Sequence, residues 1–455
     1  MPIAWWALWI LFGMLIFAQL YDYVERNKDR TPTFSNEEFN FRLIKLLESV
    51  QAMLPSPESA GTSASREDLG SGNTIHVLAQ NRKDNVYAAV LYAVMRHDRG
   101  DEVQPEDLAL LTGSEYPELQ AFARIYLSKE LTPEAYQEIR TAIPDQTLTI
   151  DGSPRFPFAT KVALGHAAKK AGETPPPLFA QQAVLLAMTG LLFACGIFAL
   201  GMILWVVYLV QRTSGRWKPI GLPVGAVGPG LADALALRTT QFMLAFVLLG
   251  ATVPMALRRI LDPQVAMALT MITVFLAIVV LSRFPAVGQH LSLRRLGMRS
   301  DNLGPNVLWG LAGFCANVPL VMVVTVVTNP LTSNLPTPEH PITNLLREGQ
   351  PAWVLALIVI QAAVMAPLIE EVMFRGALLP ALTQKLGSIA VAILASSLMF
   401  AAIHPTGVSA WFALGAIGAT AAMLTYQTGS LVPAIIMHAV HNTAIVGVNA
   451  VLWSN

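Results

Sequence analysis

Apolar segments of bilayer length recur along this chain, and they leave little choice of backbone. In hydrocarbon each amide must be bonded within its own segment, which admits helices and excludes open sheet edges. About nine segments reach or approach the roughly 20 residues a span requires. They lie at 3–20, 183–210, 239–257, 264–282, 306–328, 352–369 with a continuation to about 383, 388–403, 408–424 and 431–453. The expected class is all-α: a polytopic transmembrane helical bundle of about nine spans, with an N-terminal α-helical extramembrane domain. Composition agrees, since 54% of the 455 residues are hydrophobic and 13% charged, about half the charged share of a soluble domain. Thirty basic residues balance thirty acidic ones, so no nucleic-acid partner is indicated. Cys195 and Cys315 both lie in apolar runs, which indicates neither a disulfide framework nor a cysteine metal site.

The segment at 3–20 lacks a basic leading region and a small-residue cleavage site before its charged flank YDYVERNKDR, and reads as a retained anchor within residues 1–30. Residues 31–180 form the expected extramembrane domain. Its stretch LPSPESAGTSASREDLGSGN reads as a flexible linker over 54–74. Apolar spacings of three and four predict helices over 36–53 and in NVYAAVLYAVMRH, ELQAFARIYLSKE, TPEAYQEIRTAI and ATKVALGHAAKKAG. Ala89 and Ala123 stand about one tetratricopeptide period apart, and a binding or scaffolding role for a protein partner is expected of this domain. Residues 181–345 hold further spans, and 346–455 the part that carries chemistry. Arg212, Arg216, Lys218, Arg238, Arg283, Arg294, Arg295, Arg299 and Lys385 fall on one side of the bundle and Arg258, Arg259 and Arg347 on the other. The richer side is expected to be cytoplasmic, which places residues 31–180 opposite.

Glu370, Glu371 and Arg375 interrupt the segment APLIEEVMFRGALLPAL. An ionised side chain in hydrocarbon is costly unless paired or watered, so three within six residues point to function more than to packing. Glu371 precedes Arg375 by four positions, the favourable order for a helical ion pair, and the two suit a buried network that holds helices together. Glu370 is rotated by about 100 degrees from Glu371 and can face a different environment. A carboxylate in a poorly solvated cavity binds protons more tightly, which suits a general base. His404 closes the next apolar segment. In the last, His438 and Asn442 are four apart and share one helical face. Imidazole and carboxamide converging there could hold a developing oxyanion, or the imidazole could ligate a metal. His441 is assigned to packing at the site edge.

These groups can meet only if the glutamate helix continues through GALLPAL. Glu370 then lies roughly 18–20 Å above the helix end, His404 about 24 Å, His438 roughly 10 Å and Asn442 about 16 Å above their helix starts. Tilts and a kink at Pro367 are expected to close the remaining gap.

Three motifs in order, E-E-x-x-x-R at Glu370, Glu371 and Arg375, F-x-x-x-H at Phe400 and His404, and H-x-x-x-N at His438 and Asn442, resemble the CPBP family of intramembrane proteases. That family comprises the type II CAAX prenyl endopeptidases and the bacterial Abi proteins. The resemblance covers about residues 350–450 and implies peptide-bond hydrolysis within the membrane. It makes Glu370 and His404 the water-activating pair, His438 and Asn442 the oxyanion stabilisers, and Glu371 and Arg375 supporting residues. The family's glutamate mechanism requires no cofactor, and the HExxH helix of zinc proteases is absent from this sequence. A carboxylate and two imidazoles, Glu370, His404 and His438, could still ligate Zn2+ with water in the fourth position. The substrate is expected to be a membrane-associated peptide or protein, a prenylated CAAX sequence being one such class. A catalytically idle scaffold or bacteriocin-immunity protein, and a proton-relaying transporter, are the competing functions. The transporter lacks the paired broken helices of inverted repeats.

Overall fold

The computed structural model describes residues 3–28, 35–53, 71–143, 148–150, 153–155, 157–225, 228–257, 259–332, 351–404 and 406–453. Two compact units divide the chain. One comprises 1–28 with 192–453, the other principally 29–191. Helix α1 (Ile3–Lys28) belongs to the first.

The second unit contains α2 (Ser35–Met53), α3 (Ser71–Asn81), α4 (Val86–Asp98), a 3-10 turn at Pro105–Leu108, α5 (Ala109–Thr112), α6 (Pro117–Leu127), α7 (Pro133–Ala142) and α8 (Pro157–Lys170). A two-stranded antiparallel hairpin, β1 (Leu148–Ile150) with β2 (Ser153–Arg155), precedes α8. The helices start where the sequence provides caps. Asn85 accepts the Ala88 amide at 3.1 Å to open α4, and Thr132 accepts the Ala135 amide at 3.2 Å, with Pro133 at the first turn of α7. The helices expected between 85 and 172 all form. The expected linker 54–74 lies outside the described residues except for its last four positions, which begin α3.

A polar knot ties four of these helices. Lys45 of α2 donates to Asp98 of α4, and His166 of α8 lies 3.4 Å from the same carboxylate oxygen. Tyr126 of α6 is within 3.2 Å of the other nitrogen of His166, and the His97 ring stacks edgewise on His166 at 4.6 Å. Burial and the neighbouring His166 and Lys170 push His97 from 6.5 down to about 4, and burial lowers His166 as well. Burial alone would raise Asp98, but the hydrogen bond from His166 and the Lys45 ammonium outweigh it and hold Asp98 at about 2. Both histidines fold neutral, so the unfolded chain binds more protons below 6.5 and stability falls with pH. The loss is expected as pH drops from 6.5 to about 4, and only below 3.8 does Asp98 add to it. Hydrogen exchange of the α4 amides at pH 7 and pH 4.5 in the full chain measures it. Protection should fall at pH 4.5, and His97→Phe should flatten the dependence; equal protection at both values refutes it.

The first unit resumes through α9 (Gln181–Thr213), followed by α10 (Pro229–Leu257), α11 (Pro263–Leu281), a minimal hairpin of β3 (Pro285–Ala286) and β4 (Gln289–His290), and α12 (Leu303–Thr332). Four helices carry the motifs: α13 (Ala352–Leu386), α14 (Ile389–Ala402), α15 (Val408–Thr428) and α16 (Val432–Trp453). Among the described residues six helices, α9 to α13 and α15, are long and apolar enough to cross a membrane. The expected count of about nine is therefore not reached. The apolar parts of α1 (Ile3–Ala18) and α14 are shorter, and α16, though 22 residues long, carries His438, His441, Asn442 and Asn449. The class is nonetheless all-α, with two short hairpins as its only strands among the described residues.

Trp5, Leu8 and Phe12 of α1 pack into the core formed by α10, α11, α13 and α14. Trp5 donates to Asp233 at 2.8 Å, and Phe12 meets Phe374 edge-on at 6.3 Å. Helix α12 approaches α16 and α15 through two glycines. A Cβ at Gly310 would stand 2.6 Å from Ile436, and one at Gly313 would stand 2.5 Å from Leu424. Any larger residue would push α16 and α15 away from α12.

Candidate active site

Helix α13 runs unbroken through both glutamates to Leu386, where Gly387 caps it in the left-handed conformation at φ 67°. The continuation through GALLPAL on which the constellation depends is present. Two stretches, Gln361–Met365 and Val372–Leu378, are wound as π-helix. In the first, the Ala366 amide bonds back five residues to Gln361. The next bond of that ladder would run from residue 367 to Ala362, but Pro367 has no N–H. Asn442 of α16 takes the place of that donor, its Nδ2 giving a 2.7 Å hydrogen bond to the Ala362 carbonyl. The disturbance expected at Pro367 thus takes the form of a π turn closed by a neighbouring helix.

Glu371 is sealed, at 0% side-chain exposure. Its Oε1 accepts from Arg375 Nη1 at 3.1 Å and lies 2.9 Å from His438 Nδ1. Arg375 also donates from Nη2 to the Gly418 carbonyl on α15 at 2.9 Å, and its guanidinium stacks 4.5 Å from the centre of the Phe400 ring. Gly418 makes this possible, because a Cβ there would lie 3.0 Å from Nη2 and 3.1 Å from the backbone of Ser397. The buried pair expected of Glu371 and Arg375 forms and joins α13, α15 and α16.

Glu370 keeps 14% of its side chain accessible. Its Oε2 has no hydrogen-bond partner and is faced by His404 Nε2 at 3.8 Å and His438 Nε2 at 3.9 Å. Each imidazole is fixed from behind. His404 Nδ1 lies 2.7 Å from the Phe400 carbonyl, and a carbonyl can only accept, so Nδ1 carries the proton. His438 Nδ1 addresses a Glu371 oxygen already engaged by Arg375, with the same consequence. With Nδ1 as the donor, each ring can present an Nε2 lone pair toward the Oε2 of Glu370. The Phe400 ring, 4.6 Å from His404 and 5.8 Å from His438, walls the site on one side.

Three lone-pair donors around one small volume suit a water molecule, which has two protons to give. They also suit Zn2+ by donor type, with Phe400 and Glu371 fixing the outer nitrogens of its two imidazoles. No group of three His, Cys, Asp or Glu side chains stands in metal-holding geometry among the described residues.

The structure brings together Glu370, Glu371, Arg375, His404 and His438, while Asn442, one helical turn beyond His438, is bonded to the Ala362 carbonyl. His441, half-buried, stays outside the hydrogen-bonded set. Two participants were not evident from sequence: the carbonyls of Gly418 and Ala362. The small-residue run ALGAIGATAA in α15 signalled a close helix approach but not its polar use. Buried and unpartnered nearby in sequence are Gln361 Nε2 and Thr406 Oγ1.

No curated protein and no solved structure matches this chain. Residues 351–444 match the family model described as Type II CAAX prenyl endopeptidase Rce1-like, a stretch that contains all three motifs and the whole hydrogen-bonded constellation. Together with the six span-length helices, the match makes the chain an integral membrane protein whose last hundred or so residues are peptidase-like. Residues 351–444 are an Rce1-like domain of the type II CAAX prenyl endopeptidases, the CPBP family.

Proposed function

We propose that the chain is an intramembrane endopeptidase in which Glu370 activates water against a peptide bond of a membrane-associated substrate. The chief support is the buried, unpartnered Oε2 of Glu370, flanked by two Nε2 atoms at 3.8 and 3.9 Å on a side chain that keeps 14% of its surface accessible. Glu371, one residue on, is sealed and engaged, so the two acids take different parts.

In the proposed reaction a water held by Glu370 and His404 gives a proton to Glu370 as its oxygen attacks the carbonyl carbon. The carbonyl oxygen gains the negative charge, and the donors that would stabilise it are His438 Nε2 when protonated and the second N–H of Asn442. Collapse of the tetrahedral species breaks the C–N bond, and the proton on Glu370 passes to the departing amine. Glu371 holds His438 in position, and Arg375 holds Glu371. If Zn2+ binds, Glu370, His404 and His438 would hold it, and it would acidify the water. The scissile bond must be presented from the membrane, which fits a prenylated CAAX sequence or another lipid-anchored peptide.

The test is cleavage of a mixed peptide library, prenylated members included, by the detergent-solubilised protein. His404→Ala is expected to reduce cleavage ~10²–10⁴-fold, the usual contribution of a positioned acid–base group. A strong chelator should leave wild-type cleavage unchanged; abolition by chelator and recovery with Zn2+ would replace the metal-free route. A folded wild type that cleaves nothing would favour the catalytically idle scaffold.

A further inference from the structure

The first unit contains a second feature, away from the carboxylates: a cavity of about 380 Å³ between α9, α12 and α15, within the range of about 300–1,000 Å³ typical of ligand pockets. Its walls are apolar and aromatic, with Trp205 and Tyr208 from α9, Trp217 from the following loop, Trp309 from α12, and Met423 and Leu424 from α15. Thr420 also lines it, two residues from Gly418, whose carbonyl holds Arg375. Two residues are about 200 degrees apart on a helix, so cavity and acid cluster lie on opposite faces of α15.

One end of the cavity is basic. The loop after α9 folds back on itself: the Trp217 amide bonds to Gln211, Arg212 reaches the Trp217 carbonyl at 3.4 Å, and Gln427, a lining residue, donates to the Lys218 carbonyl at 3.3 Å. That brings Arg212, Arg216 and Lys218 to the Trp217 wall, all three exposed. Between Glu173 and Asp233 the chain has no acidic residue, and none of the three cations forms an ion pair with a described residue. The Gln427 Oε1 beside them is buried without a partner. Helix α9 is covered over only 6% of its most apolar window, so the surrounding surface faces hydrocarbon. An apolar chamber opening among such residues, ended by three cations of one sign, has the charge and polarity pattern of an anionic lipid.

We propose that this cavity holds an acyl chain of an anionic glycerophospholipid, with the headgroup phosphate bound by Arg212, Arg216 and Lys218. The bound lipid wedges α9 against α12 and α15 and so supports the rear face of the helix that carries Gly418.

The test is independent of any cleavage. Full-length protein in a neutral detergent is mixed with phosphatidylglycerol or phosphatidylcholine of the same chains, and bound lipid is counted by native mass spectrometry. Wild type should retain one phosphatidylglycerol per chain and bind phosphatidylcholine at least tenfold more weakly. The exposed-residue variant Arg212→Gln/Arg216→Gln/Lys218→Gln should lose that preference. Ala312→Phe, which fills the cavity, should retain neither lipid, and Met423→Trp fills it from the other wall if that variant does not fold. Equal retention of the two lipids by wild type, or phosphatidylglycerol retention unmoved in the triple variant, overturns the proposal.

Discussion

The Glu370→Gln protein is expected to fold and insert normally and to cleave at least ~10³-fold more slowly than wild type, toward the upper part of the range for loss of a general base. Glutamine matches glutamate in shape but cannot take a proton from water. Folding should survive because Oε2 of Glu370 has no hydrogen bond to lose, and removing an uncompensated charge from a poorly solvated site relieves a desolvation cost. Rates on a cleaved peptide and the thermal midpoint in detergent, measured on the same preparations, read the two effects separately. Full activity in Glu370→Gln would move the base elsewhere and sink the mechanism; low activity with a collapsed midpoint would show that the carboxylate is structural.

Arg375→Ala should do the reverse and strike the fold first. It leaves Glu371 charged at 0% exposure and removes the bond to Gly418. Breaking one side of a buried ion pair costs about 3–5 kcal/mol, a large share of the roughly 5–15 kcal/mol that holds a protein folded. The paired variant Glu371→Leu/Arg375→Met should recover most of that stability, because an apolar pair of similar volume can replace a buried ion pair. Its cleavage should stay low, since His438 Nδ1 would lose the acceptor it now has at 2.9 Å. Thermal unfolding of the single and double variants, paired with cleavage rates, separates the two roles of Glu371. A single variant as stable as wild type would mean that the ion pair contributes nothing to the fold.

Most of the constellation was legible because it rests on helical periodicity. Four-residue intervals place Glu371 with Arg375 and His438 with Asn442, and apolar run lengths place the helices that bring the three motifs level. What escaped does not follow from spacing. The first π turn of α13 comes from a proline acting together with a side chain on another helix. The Gly418 carbonyl enters the site only because Gly418 lets α15 come close to Ser397 and Arg375. Among the described residues six helices reach span length and apolarity rather than about nine, since α14 covers only Ile389–Ala402 and α16 carries His438, His441 and Asn442 among its apolar residues. Asn442, expected as an oxyanion donor, spends one of its protons on the Ala362 carbonyl, a bond that spacing does not reveal.

A five-residue turn holds one residue more than an α turn, and this extra residue at 361–365 acts as a phase shifter. Before it, Val354 and Ile358 are buried in the upper half of α13; after it, the acid cluster is aligned to α15 and α16. Deleting that residue as the ladder reverts to ordinary winding would keep the two halves in phase, whereas ordinary winding of the full sequence would turn one half about 100 degrees against the other. Since the lower half is tethered by Arg375, the upper half would have to yield. The two ends of one helix can therefore drift independently in sequence, the membrane-facing end changing its lipid contacts while the aim of the carboxylates stays fixed.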